Sequence, residues 1–582
     1  MVKMVSTTKK RWNLLPEMKV AEDLGYSKAE LQILFNRGII SESDLKNKDI
    51  IDKKIHDFLE PGYESSLHDP FLLKDMDRAV ERIQKALRDK EKICIYGDYD
   101  VDGVTSTALL SDTFEKLGAD FIAYIPSRQD EGYGLNKEAI DEIARKGIKL
   151  IVTVDCGIRS FDEIEYANSL KLDVVVTDHH ELEKSKDKDL LPKAVAVINP
   201  KRSDCDYLFK DLAGVGVAFK LACAVLSKVP NLANSWERWL LDLVALGTVC
   251  DVVPLVDENR VLVKYGLKVI AKTKRVGLQE LIKSAAIQIE KINSHNLGFH
   301  LGPRLNASGR LENARLSLGL LLAKDTKEAE IAALNLSKIN KERQDITKRI
   351  LEEARAMLGK IDDGRNIILL KNKNWPAGVV GIVASRLMDD CGKPVLLFEE
   401  GETESKGSAR SIDNFSIISA LEKCEDVLVK YGGHKKAAGL TVKNEHFIVL
   451  NEKLIEIAGK DIAEEDLIPE IIIDAKIDIE NIDVTVGEYI KKLEPFGFEN
   501  KKPVFIIENA EVKNSALVGS DKNHLKLTIA SGSSSLSGIM FGYGTNNDLK
   551  SGDKIDIVFT INENEWNGRV SLEAMILDIK KI

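Results

Sequence analysis

The sequence predicts an α/β protein in three parts: a parallel-sheet domain, a smaller α/β domain joined to it by a long helix, and a small C-terminal β-barrel. Three observations carry this. Between residues 93 and 198, near-continuous apolar runs alternate with helical stretches, the mark of a parallel sheet covered on both faces. Residues 291–360 end in a long charged helical run, LNLSKINKERQDITKRILEEARAML, which suits a connector with solvated faces. From about residue 470 the pattern changes to short alternating strands, parted by Gly-Ser-Asp, Ser-Gly-Asp and Trp-Asn-Gly turns.

The chain's 582 residues suit three or four domains, at ~150 residues each. Hydrophobic content of 44% and charged content of 30% belong to a globular, water-soluble chain. The start, MVKMVSTTKKRWNLL, is basic but has no apolar core, so no secretory signal is expected. No apolar run is long enough to span a bilayer, so no membrane partner is expected. Seven cysteines without a C-x-x-C pair argue against a zinc ribbon and a disulfide framework, and for a reducing cytoplasm. At a formal charge of −10, a nucleic-acid ligand would need a local basic groove.

Residues 1–70 read as an N-terminal region of short helices and loops. Residues 71–290 form the first α/β domain. The helical stretch FLLKDMDRAVERIQKALRDK leads into a buried strand at Ile93–Tyr96. Asp98, Asp100, Asp102 and Gly103 follow as a loop, and a helix is expected from Val104 to Leu117. Three carboxylates at alternate positions repel one another unless a cation sits among them. The D-x-D-x-D-G spacing imitates an EF-hand opening. The closing Glu of such a loop would fall at Leu109, however, and a strand precedes the loop instead of a helix. The loop is better read as an acidic strand end completed from elsewhere.

Further strands are expected at Phe121–Ile125, Leu150–Val154, Asp173–Thr177 and Ala194–Ile198, with helices at Asn136–Lys146 and Ser160–Ser169. Parallel sheets bind ligands beyond the carboxyl ends of their strands. Three strands here end in acid or imidazole: Asp98, Asp100 and Asp102, then Asp155, then Asp178, His179 and His180. A helix at Trp236–Val249 ends in Asp251 before Pro254. Asp155 or Asp251 alone would read as a cap or turn residue, and the two histidines as ordinary polar residues. Joint placement on one rim reads instead as a metal site. Oxygen-rich with some nitrogen, it suits Mn²⁺ or Mg²⁺ better than structural zinc. So many carboxylates need two ions, with Asp155 shared between them. Two ions ~3.5–4 Å apart suit hydrolysis of phosphoric esters. No P-loop and no G-x-S-x-G elbow occur, and GVGVAFK at 214–220 reads as close helix packing.

Residues 361–462 return to alternating strand and helix, with NIILL, GVVGIVASRLM, PVLLFEE, SIISALEKC and KAAGLTV. Residues 463–582 open on the remainder of the acidic linker DIAEED. About five strands in the final ~110 residues then fit a barrel of the oligonucleotide-binding (OB) kind.

The runs IYGDYDVDGVTSTALL, VDCG, TDHHE, ALGTVCDVVPL, GPRLNASGRL, SARSIDNF, YGGHKKAAGLTV and EPFGFENKKPVF together resemble the DHH phosphoesterase superfamily. Within it, the chain is similar to the single-stranded-DNA-specific exonucleases of bacteria, over roughly residues 90–505. The resemblance implies that Asp100, Asp102, Asp155, His179 and Asp251 bind two Mn²⁺ or Mg²⁺ ions, with Asp98 a further ligand or supporting group. Asp155 then counts among the catalytic residues. It gives His180 the scissile phosphate, where it stabilises charge or donates a proton. YGGH matches the family's DHHA1 domain, with Gly432, Gly433 and His434 approaching phosphate.

An exonuclease that starts at a 5′ end needs a pocket for the terminal phosphate. At least two of Arg128, Arg304 and Arg410, each set among Gly and Ser, are expected to line it. Ser408 and Asn306 add hydrogen bonds, and Tyr133 and Phe415 are candidates to stack on bases. The implied substrate is single-stranded DNA with a 5′ end, and the implied partners are a helicase and a single-strand-binding protein. Three positions depart from the family pattern: Pro376 where many relatives have His, Glu499 at a Gly position, and Tyr96 where many relatives have a metal-binding His. Two rival readings are a phosphodiesterase acting on cyclic dinucleotides or very short RNA, and a nucleic-acid scaffold without activity.

Overall fold

The computed structural model describes the chain except residues 1–7, 9, 19–23, 128–130, 133, 187, 230–234, 360–363, 546 and 567–568. It divides into two compact units. One holds Pro61–Arg343 and Glu494–Lys501; the other holds Met1–Glu60, Gln344–Leu493 and Lys502–Ile582.

In chain order the elements used below begin with strand β1 (Arg11–Leu14), then β2 (Ile93–Gly97), helix α1 (Val101–Lys116), β3 (Phe121–Tyr124), β4 (Leu150–Val154), β5 (Asp173–Thr177) and β6 (Ala196–Ile198). Strands β3-β2-β4-β5-β6 form one parallel sheet. β2 and β4 are wholly buried, as two-sided helical cover requires. Register decides where the chemistry goes. Gly97 pairs with Val154, Val154 with Thr177, and Thr177 with Ile198. The next residue on each strand is therefore Asp98, Asp155, Asp178 or Asn199, side by side on the carboxyl rim.

Helices α2 (Gly214–Leu226), α3 (Leu241–Cys250) and α4 (Gly302–Leu311) pack in this unit, and α5 (Thr326–Leu358) is the expected long helix, 33 residues in length. Tyr96 is fully buried, stacks on Tyr124 at 5.2 Å and donates to the Gly134 carbonyl. Its hydroxyl is engaged with a backbone carbonyl, which accounts for Tyr at that position. The turn around Glu499 also stands. Glu499 takes φ 62°, Gly497 bridges to Asn500, and buried Asn500 donates to the Pro495 carbonyl. Glutamate there carries a left-handed backbone that glycine would adopt without strain.

The other unit holds β7 (Ile368–Asn372), α6 (Ala377–Cys391), β8 (Val395–Glu400), β9 (Glu404–Arg410), β10 (Leu428–His434) and β11 (Ala437–Lys443), with sheet order β10-β11-β9-β8-β7. Pro376 precedes the first residue of α6, where a fixed φ and a missing donor are harmless. Strand β12 (Glu470–Ile473) then pairs in parallel with β1, so residues 11–14 form a strand where only helices and loops were expected. The barrel follows with β13 (Phe505–Val518), β14 (His524–Ser531), β15 (Ser534–Met540), β16 (Lys554–Trp566) and β17 (Arg569–Lys581). Pairings run β13-β14-β15-β17-β16 and close back from β16 to β13, a five-stranded ring of the OB kind.

Three sequence expectations change. The helix after β2 starts at Val101, not Val104, because Asp100 Oδ1 accepts the amides of Asp102 and Gly103 and so caps it. The Ser408–Arg410 run, set among Gly and Ser, lies on a strand, as does the YGGH run. Phe415 is 3% exposed in the core of the second sheet and cannot stack on a base. Among the described residues, no helix is long and apolar enough to cross a membrane.

Candidate metal centre

Asp98 and Asp155 continue adjacent strands, so the sheet itself sets their separation. Asp102 enters from the first turn of α1. Both its oxygens accept main-chain amides from the start of α2: Gly214 N at 2.6 Å and Val215 N at 2.8 Å. Position 214 has room for no side chain. A Cβ there would lie 2.7 Å from Asp155 Cβ and 2.9 Å from Asp102 Oδ2. The glycine that read as helix packing is thus part of the centre. Asp155 holds φ 59°, an uncommon conformation at a residue that the surrounding structure must enforce. Asp251 lies just past the end of α3, where the helix dipole disfavours an anion unless a cation is near.

The ligand atoms fall into overlapping groups, each within 4.8 Å: Asp98, Asp100 and Asp155; Asp102, His179 and Asp251; Asp155, His179 and His180. His179 Nε2 lies 3.1 Å from Asp155 Oδ1, 3.6 Å from Asp251 Oδ2 and 3.7 Å from Asp102 Oδ2. Neither His179 Nε2 nor Asp251 Oδ2, both buried, has a hydrogen-bond partner among the described residues. The His179 ring does bond the Leu212 backbone, which leaves Nδ1 as the bonding nitrogen. Burial, with His180 beside it, pushes His179 down to about 3, so the ring is neutral near pH 7. A lone pair therefore faces three carboxylates.

The carboxylates are in the same position. Burial first, then Asp251 and Asp100, hold Asp102 well above the usual range in spite of its two amides. Burial and the surrounding aspartates do the same to Asp155. Burial and Asp100 raise Asp251 to about 7. Acceptors facing acceptors fit divalent cations, which would turn each repulsion into coordination.

Asp178, the acid of the Asp-His-His triplet, does something else. Its Oδ1 accepts from the His179 amide at 2.7 Å, the His180 amide at 3.0 Å and His180 Nδ1 at 2.8 Å, and its Oδ2 accepts from Ile158 N at 2.9 Å. Against the cost of burial, His180 and these donors keep it well below the ordinary carboxylate range. In return Asp178 outweighs burial at His180 and raises that ring to about 9.

His180 lines a cavity of about 260 Å³ with Asp98, Tyr99, Asp100, Asn306, Gly309 and Arg310. Asn306 is therefore brought to the centre. Arg304 is not: it donates to Ser337 Oγ at 3.2 Å and to the His300 carbonyl at 2.7 Å. Arg310 lines the cavity in its place. One helical turn separates it from Asn306 and puts both on one face, a spacing legible in NASGR. Arg128 and Tyr133 lie outside the described residues. Ser408, Arg410, Gly432, Gly433 and His434 belong to the other unit. Arg410 Nη1 donates to Ser408 Oγ at 3.0 Å, two residues along the same strand face. Gly432, Gly433 and His434 are exposed on β10, at the end of the sheet.

Profiles of three domain families match the chain: the DHH family N-terminal domain over residues 92–248, the DHHA1 domain over 364–460 and the RecJ OB domain over 473–578. The single-stranded-DNA-specific exonuclease RecJ of Bacillus subtilis is 42% identical over 88% of this chain, which spans 64% of that relative's length. RecJ of Escherichia coli is 35% identical over 87% of this chain and 90% of its own. Among solved structures, RecJ of Thermus thermophilus in complex with Mn²⁺ superposes with a TM-score of 0.81 at 28% identity, covering 98% of this chain and 80% of that one. An exonuclease RecJ bound to manganese superposes with a TM-score of 0.58 at 34% identity, over 68% of this chain and 98% of that one. With three domain profiles in order and a rim that groups Asp98, Asp100, Asp102, Asp155, His179 and Asp251, the chain belongs to the RecJ family of DHH-type exonucleases.

Proposed function

We propose that this chain removes nucleotides from the 5′ end of single-stranded DNA, hydrolysing phosphodiester bonds at two Mn²⁺ or Mg²⁺ ions. The supporting observation is the pair of ligand groups, Asp98–Asp100–Asp155 and Asp102–His179–Asp251, joined by the 3.1 Å approach of Asp155 to His179. Asp155, in the first group and beside His179 of the second, would be the residue shared between two ions. Bound divalent cations supply Lewis acidity at the phosphorus and an activated water.

The chain's own residues do the rest. Asp178 fixes the His180 ring through Nδ1, and His180 faces the cavity as a cation. It donates to a phosphate oxygen and can pass its Nε2 proton to the leaving 3′ oxygen. Asn306 and Arg310 bind the phosphate that enters the cavity. Arg128 and Arg410, with Ser408 beside Arg410, are the candidates for the 5′-terminal phosphate, and Gly432, Gly433 and His434 are candidates for further phosphate contacts. Binding should fall steeply with salt as phosphate contacts release counterions. The 5′ polarity and a place in cytoplasmic DNA repair and recombination rest on the family resemblance. So do a helicase that opens the strand and a single-strand-binding protein that covers it.

The test is single-stranded DNA labelled at its 5′ or 3′ end, incubated with Mn²⁺ or with chelator. Mononucleotides from the 5′ label appear first and only with metal. Release from the 3′ label first, or cleavage in chelator, overturns the reading.

A further inference from the structure

The helical segment that brings Asn306 and Arg310 to the cavity starts well before them. Ser294–Asn296 opens it, a π-turn covers Leu297–Leu301, and α4 follows directly. Leu297, Leu301 and Leu305 are at most 2% exposed and anchor one side in the core. On the side turned away from that stripe come Phe299, then Asn306 and Arg310. Phe299 is 72% exposed, far more than a phenylalanine normally is. It is not splayed at random: the His295 ring stacks on it, with centroids 4.7 Å apart and planes 22° from parallel.

The same segment packs on the residues just before Asp251: Cys250 Sγ approaches the Leu297 carbonyl at 3.6 Å, and a Cβ on Gly298 would lie 3.4 Å from Val249 Cγ1. Seven residues separate Phe299 from Asn306, ~10 Å along a helix at ~1.5 Å per residue. That is about three base steps for a strand that keeps the ~3.4 Å rise of stacked DNA, and fewer for an extended one. A π-turn inside an α-helical run often marks a functional position.

We propose that Phe299, backed by His295, is a stacking platform for a base of the single-stranded substrate, a few nucleotides from the bond that is cut. The inference rests on the nuclease reading above and deepens it. An exposed aromatic face accepts any unpaired base and carries no sequence preference. A paired base has both faces covered by its neighbours, so the platform also favours single strands. It acts on binding, not on the chemical step, because nothing in it reaches the ligand groups.

The test compares KM and kcat of the full chain on a single-stranded DNA oligonucleotide and on a strand of equal length made of abasic residues. Phe299→Ala should raise KM for DNA about tenfold, within the range of one lost base stack, with kcat unchanged. Phe299→Trp should restore the KM and Phe299→Leu should not. The abasic strand should show no difference among the four proteins. Equal loss on both strands, rescue by leucine, or an unchanged KM in Phe299→Ala while the wild type is active overturns the platform alone. A wild type that cleaves neither strand overturns the nuclease reading and the platform with it.

Discussion

At the rim of the parallel sheet, main-chain amides reach for the acids. Asp100 takes two, Asp102 two and Asp178 three. At the β10 margin of the second sheet, Gly432, Gly433 and His434 are exposed and, among the described residues, their strand pairs only with β11. Buried charge needs a scaffold that holds it in every direction, whereas an exposed strand margin needs only one neighbour and leaves its other side for whatever comes. Perturbing the rim should therefore cost function and stability together, while at the margin the two should separate.

The largest effect is expected at Asp155. Asp155→Asn should lower nuclease activity by about 10³-fold or more. In chelator the same protein should melt higher, by on the order of 1–4 kcal/mol, because an uncompensated buried charge is gone. Asparagine tolerates the left-handed backbone at this position. Calorimetry beside the nuclease assay checks both, and a lower melting point in chelator would break the rim account.

Gly214→Ala comes next. Its Cβ would meet Asp155 and Asp102 at 2.7 and 2.9 Å, and overpacking should cost about 1–3 kcal/mol. Displacing the clamp on Asp102 should weaken metal affinity by about 10–100-fold, measured by Mn²⁺ titration of activity.

The third effect is a pH limb. The His180 ring is charged below about 9 and loses its proton above that. Rate should therefore fall as pH rises through that value. The limb should vanish in His180→Gln, at a rate reduced by about 10²–10⁴-fold, and a pH–rate profile of both proteins checks it. The same ring favours the folded state most below its unfolded value of about 6.5, an advantage lost as pH rises through about 9.

The smallest effects sharpen the contrast at the margin. Gly433 has φ 151°, and a Cβ there would run into the Ala437 carbonyl. Gly433→Ala should therefore destabilise by about 1–3 kcal/mol, read by thermal melting. At Gly432 nothing lies within 4 Å. Gly432→Ala should leave stability within ~0.5 kcal/mol, so any rise in KM for DNA reports substrate approaching that backbone.

Much of this was readable from the chain. Strands β2, β4 and β5 announce themselves as apolar runs, and strand register then aligns Asp98, Asp155 and Asp178 without further information. Direction was harder. Asp178 looks like a ligand in sequence but turns back to hold its own loop. Arg304 and Arg310 are equivalent in a string of letters, yet α4 sends one to Ser337 and the other to the cavity. The YGGH run matched a family signature without announcing a strand, because glycine signals a loop and an exposed strand equally well. Gly214 was legible only as packing, since what it packs against, Asp155 and Asp102, is set by chain far away in sequence. Strand β1 was missed for the same reason: four residues become a strand only when β12 is beside them.

The grip on Asp102 is made of peptide N–H groups, which every residue but proline owns. Side chains along α2 answer to the core they are buried in, not to the acid, which only the helix's first two peptide N–H groups hold. The letters that strike that grip directly are few: a proline at 214 or 215, or any methyl group at 214.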